Sequence, residues 1–81
     1  MGSFSANPDF VVIARSINPA SDVTLENECL YIGVAGDVEV VPVSQSASVI
    51  FVGVPAGTFL PVSCRELKSA GTTATSILAL K

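Results

Sequence analysis

The chain has 81 residues, 49% hydrophobic and only 14% charged, and four Lys or Arg against seven Asp or Glu give a net charge of −3. That length holds one domain, and with Arg15, Arg65, Lys68 and Lys81 as the only bases there is no electrostatic footprint for nucleic acid or anionic lipid. Histidine is absent, which removes the usual base beside a nucleophile and the usual companion of cysteine in a zinc site.

Residues 1–8, which include Gly, Ser, Asn and Pro, read as a flexible N-terminal arm, and residues 9–81 as a single β domain. From there, short runs rich in Val, Ile, Phe and Leu are punctuated about every ten residues by Gly, Pro, Asn, Asp and Ser. The runs predict strands at 10–17, 29–34, 38–43, 48–54, 59–67 and 76–80. No window carries apolar residues at helical spacing with capping signals. The expected fold is all-β: a small antiparallel β-sandwich or barrel of about six short strands.

The breaks suggest the connections. Ala35-Gly36 lies between two β-branched runs and predicts a hairpin over 29–43, since glycine can take the positive φ of a tight turn. Pro55-Ala56-Gly57 has the pattern of a type I turn joining the fourth and fifth strands, so that two successive hairpins make a meander. The stretches 18–22 and 68–72 read as longer loops between sheets.

In the third strand Asp37 and Glu39 share one face and Val38 and Val40 the other, as in a sheet with one wet side. The fourth strand is apolar on both faces, with Val49 and Phe51 opposing Ile50, Val52 and Val54. That suits a central strand or one covered by a neighbouring subunit. Pro42 and Pro61 cannot donate a ladder hydrogen bond and belong at a strand end, a bulge or an edge. The same run, 49–54, is the longest strongly apolar stretch, far short of the roughly 20 residues of a spanning helix.

A domain of this size buries only about 60% of its unfolded surface and commonly needs a disulfide, a metal or a partner. Cys29 and Cys64 form no CxxC pair, and no basic segment followed by an apolar one after Met1 signals export. Free, buried thiols in a reducing compartment are therefore expected, although one bridge is possible. A partner chain is the remaining source of stability, and the high mean hydropathy favours it.

Candidate chemistry is sparse. Glu26 with Glu28, or Asp37 with Glu39, could pair carboxylates for acid/base work on one strand face, but solvated strand charges that discourage wrong edge pairing are the simpler reading. Asp22, Glu26 and Glu28 could meet a calcium ion, yet lack DxDxDG spacing. The glycines form neither GxGxxG nor a P-loop pattern. Tyr31, Phe51 and Phe59, without basic neighbours, read as core anchors rather than as a base-stacking platform. Neither enzymatic activity nor a cofactor or metal is expected.

Three segments carry more than β character: LYIGVAGDV at 30–38, VGVPAGTFLPV at 52–62, and AGTTAT at 70–75 followed by Ile77, Ala79 and Leu80. They resemble a family of small tailed-phage virion proteins whose relatives in gene transfer agents are described as spike base attachment proteins. The resemblance runs from about residue 9 to the C-terminus and is weaker at 42–48 and before Leu30. It implies a virion adaptor, assembled in the host cytoplasm, that attaches a spike, fibre or other component to the capsid. Its partners would be further copies of itself and other capsid, spike, fibre or tail proteins. Residues Pro55, Ala56, Gly57 and Thr58, with Ala70, Gly71 and Thr72, are then the expected contact loops. The alternatives are a carbohydrate- or host-surface-binding β-module of a virion, a head-decoration or tail component, and a minor enzyme or inhibitor domain.

Overall fold

The computed structural model describes residues 14–81. Six strands form: β1 (Ala14–Ile17), β2 (Val23–Val34), β3 (Gly36–Pro42), β4 (Val49–Val54), β5 (Thr58–Lys68) and β6 (Thr75–Leu80), with a 3₁₀ turn at Ser69–Gly71. All pair antiparallel in a single open sheet of order β1-β6-β2-β5-β3-β4, so the all-β, six-strand, antiparallel expectation holds. The N-terminal arm and the part of the first predicted strand before Ala14 lie outside the described residues.

Alternation decides which face is buried. Leu30 and Ile32 of β2, Val38 and Val40 of β3, Leu60, Cys64 and Leu67 of β5, and Ile77 and Ala79 of β6 point inward, and Ile17 and Val54 join them from the two outermost strands. Asp37 and Glu39 are on the wetter face, as their spacing predicts. The smallest dimension, 18 Å, is too large for one flat layer, and the sheet curls so that its concave side packs upon itself. Irregular registers provide the bending. In β2 the register slips between Thr24 and Glu28, where Asn27 takes a φ of 57°, a conformation asparagine tolerates better than most residues. Pro61 falls in the register shift between Glu28↔Cys64 and Leu30↔Leu60, and Pro42 ends β3 beside another shift, the two kinds of position open to proline in a sheet.

The connections differ from the predicted meander. β2 and β3 do not pair: β5 lies between them. Ala35 alone links them, too short for a two-residue hairpin turn, and Gly36 serves a close approach instead. A Cβ on Gly36 would stand 2.5 Å from the Ala74 backbone nitrogen, so the chain at 73–74 passes where only glycine leaves room. β4 and β5 also do not pair, because β3 separates them. The turn at Ala56–Gly57 has Gly57 at φ 80°, a position that a type I turn does not require, and the Gly57 N–H donates to the Ile32 carbonyl at 2.7 Å. The chain is thereby handed to β2 rather than back along β4. Among the described residues the one hairpin between consecutive strands is β3–β4, through the loop at 43–48.

After Lys68 the β5 lane resumes along β3. The Thr72 hydroxyl accepts from the Glu39 N–H at 3.0 Å, the Thr73 hydroxyl accepts from the Asp37 N–H at 2.8 Å, and the Asp37 carbonyl accepts from the Thr73 and Ala74 N–H groups at 2.9 and 3.1 Å. One residue later Thr75 pairs with Val34 of β2, so this segment stitches the start of β3 to the start of β6.

Candidate interaction surface

β4 stands at the end of the sheet, and among the described residues nothing pairs with its outer edge. The double-sided apolar pattern of this run therefore belongs to an edge strand and not to a central one. Val49 and Phe51 lie opposite the inward-facing Val40 and Val38, and Phe51 packs against the core. Ile50, opposite Glu39, and Val52 are on the wet side and are 49% and 78% exposed. β4 has no charged residue anywhere in Val49–Val54. Natural sheets usually guard such an edge with lysine, proline or a covering element.

Backbone directions follow from the ladder. Asp37 and Glu39 direct their N–H groups to the Thr72–Thr73 side, so Val38 and Val40 direct theirs to β4, and Phe51 and Val49 answer them. Ile50 accordingly presents its N–H and C=O away from β3. Past Phe51 the register slips, and the Gly53 N–H, with φ at 68°, turns to the Asp37 carboxylate at 2.9 Å. The trans peptide then aims the Val52 carbonyl the opposite way, so Val52 also presents both its backbone groups to the open side. Beside the inner face of β4 is an open hollow of about 380 Å³ bounded by Pro42, Val43, Val49, Phe51 and Val62.

The two predicted contact loops are at opposite ends of β5 and are held by different strands. Pro55, Ala56 and Gly57 are exposed, and the Thr58 hydroxyl donates to the Pro55 carbonyl at 2.8 Å. In the second loop Ala70 is exposed, while the Thr72 hydroxyl donates to the Lys68 carbonyl at 2.7 Å and accepts from Glu39. Gly71 lies so close to Glu39 that a Cβ would come within 2.5 Å of its carboxylate. These residues shape turns and seams inside the chain, whatever else they touch. Of the three aromatics expected to anchor the core only Phe51 packs against it; Tyr31, partly buried, and Phe59, 48% exposed, stand opposite each other on the convex face, since alternation along β2 sends Leu30 and Ile32 inward and Tyr31 outward.

The paired carboxylates do not act as pairs. Glu28 is buried, and Arg15 clamps it with two hydrogen bonds, Nε to Oε2 at 2.8 Å and Nη2 to Oε1 at 2.7 Å. The Glu26 N–H adds a third at 3.0 Å. The Arg15 hydrogen bond, opposed by burial, holds the Glu28 carboxyl down at about 2, so it is ionised at neutral pH and has no proton to give. Glu26 turns outward to Lys81 at 3.8 Å. Asp37 and Glu39 are each engaged, by the Gly53 N–H and by the Ser48 hydroxyl. Asp22 accepts from the Ser69 N–H at 2.8 Å, away from Glu28, and among the described residues no three potential metal ligands converge. Cys29 and Cys64 are unpaired. Burial lifts the Cys64 thiol to about 11.

The β4 edge escaped the sequence reading of contact residues, which favoured the loops. Its signal was present in a β-branched run with no charge and no covering candidate, but nothing in the run says which strand is outermost. Comparison with family models, with curated proteins and with solved structures finds no match to this chain.

Proposed function

We propose that this chain is a structural adaptor of a tailed-phage or phage-like particle, attaching a spike, fibre or other component to the capsid through protein–protein contacts. It works by burying apolar surface and pairing strand edges, with no covalent chemistry. One observation supports this reading above the rest: an uncharged outer strand with unpaired backbone groups and three exposed β-branched side chains, Val49, Ile50 and Val52, an arrangement suited to being covered by another chain. The resemblance of the segments at 30–38, 52–62 and 70–75 to virion adaptors supplies the kind of assembly. Site-specific labelling of the chain, followed by image reconstruction of purified particles, tests it. Density for the chain at a joint between two other virion components is expected, and particles of normal composition without the chain would refute it.

A second reading, a carbohydrate- or host-surface-binding module, draws on the half-exposed Phe59 beside Tyr31, since sugars stack on aromatic faces. It predicts glycan-array binding that Phe59→Ala abolishes and that changes on β4 leave alone.

A further inference from the structure

The partner of β4 can be narrowed by asking what its open edge would complete. The inference that follows deepens the adaptor reading, because it names an occupant for the same edge. Four backbone groups face outward, the N–H and C=O of Ile50 and of Val52, and they are disposed symmetrically about Phe51. An antiparallel strand satisfies such a set when its residues exchange paired hydrogen bonds with each of these two positions. Any extended strand offers such a set, and a second β4 adds to it an uncharged edge and exposed β-branched side chains at the same two positions, which can cover Ile50 and Val52.

We propose that β4 pairs with β4 of a second copy of this chain about a two-fold axis at Phe51, with Ile50 opposite Val52 of the other copy and Val52 opposite its Ile50. All four outward groups of each strand then find partners, and the two curled sheets become one continuous sheet. Ile50 and Val52, exposed in the single chain, cover each other on the wet face as β-branched cross-strand pairs. On the inner face the axis places Phe51 against its own copy at a non-hydrogen-bonded site, where Cα atoms approach to about 4.5 Å. The two cores meet there through an aromatic pair. Charge does not oppose the contact. β4 carries none, and the nearest acids, Asp37 and Glu39, are on β3, each separated from its counterpart by both β4 strands. A six-residue strand pair falls short of the roughly 1,200 Å² typical of stable complexes, so association is weak in dilute solution and is reinforced by the repetition of subunits in an assembly.

The experiment combines sedimentation equilibrium of the full chain, from roughly 10 µM to 1 mM, a range suited to a small interface, with amide hydrogen exchange. The expected result is a rise towards twice the 8.3 kDa chain mass, with the amides of Ile50 and Val52 gaining protection as concentration rises while those of Val49 and Phe51, which face β3, do not change. Two exposed-site variants read the register. I50K/V52K sets Lys against Lys at both pairs and should stay monomeric. I50K/V52E sets Lys against Glu and should associate at least as well as the parent chain. Equal association of the two variants, or protection of Ile50 and Val52 that ignores concentration, would overturn the proposal. A parent chain still monomeric at the highest concentration, whose incorporation into particles I50K/V52K abolishes, would overturn self-pairing while leaving the adaptor reading with a foreign strand on β4. A concentration-dependent dimer that never enters particles would do the reverse.

Discussion

Replacing Arg15 by Met removes the charge that compensates a buried carboxylate while keeping the length of the apolar stem. Glu28 is only 2% exposed, and its pKa falls from 4.5 to about 2, so at about 1.4 kcal/mol per unit the folded environment contributes about 3 kcal/mol in favour of the ionised form. Because the Arg15 side chain is 44% exposed, water can enter after the substitution, and the expected loss at neutral pH is at the low end for a broken buried pair, about 3 kcal/mol. The pH dependence has a definite sign. In the parent chain the folded pKa lies below the unfolded one, so this contribution is fully present above about 4.5 and is lost as pH falls towards 2. In Arg15→Met the buried, unpaired carboxylate prefers a proton more than the unfolded chain does, so stability should rise as the solution is acidified towards about 4.5, and the parent's loss between 4.5 and 2 should disappear. Urea unfolding at low micromolar concentration, near pH 7 and at steps down to about pH 3, measures both. A loss under about 1 kcal/mol at neutral pH, or an acid limb unchanged in slope, would show that Arg15 does not hold Glu28 as described.

Two further outcomes follow from local geometry. Gly36→Ala forces a Cβ into the Ala74 backbone at 2.5 Å and should cost more than about 3 kcal/mol or prevent folding, whereas Gly53→Ala meets nothing within 4 Å and costs only the left-handed backbone at φ 68°, about 1 kcal/mol, in thermal unfolding. Cys64, buried and with its thiol held near 11, should resist an aromatic disulfide reagent near pH 8 until denaturant is added, and labelling of Cys64 in the folded chain as fast as in the unfolded one would contradict its place in the core.

The strand content was readable because β-branched residues and alternation mark strands directly, and five of the six predicted segments lie wholly on observed strands or overrun them by a residue. The first half of β2 was not readable. Glu26, Asn27 and Glu28 interrupt the apolar pattern, and only an arginine 13 residues earlier makes a buried glutamate there tolerable. Strand order was equally hidden. Ala35-Gly36 and Pro55-Ala56-Gly57 have the composition of hairpin turns, but what they do depends on chain segments distant in sequence, at Ala74 and Ile32, which local chemistry cannot announce. The same gap concealed the exposed edge, since a strand is outermost only with respect to the others.

Of the five steps between the described strands, only β3 to β4 joins neighbours, and β6 is the one strand whose backbone pairs with β1. Nearly every ladder therefore has to wait for a remote stretch of chain to arrive, a topology of high contact order that folds slowly for its size. A nascent polypeptide emerging from the ribosome would hold β1 and one side of β2 unsatisfied until Leu80 is clear of the exit tunnel, so the sheet waits for its last strand and cannot be completed strand by strand.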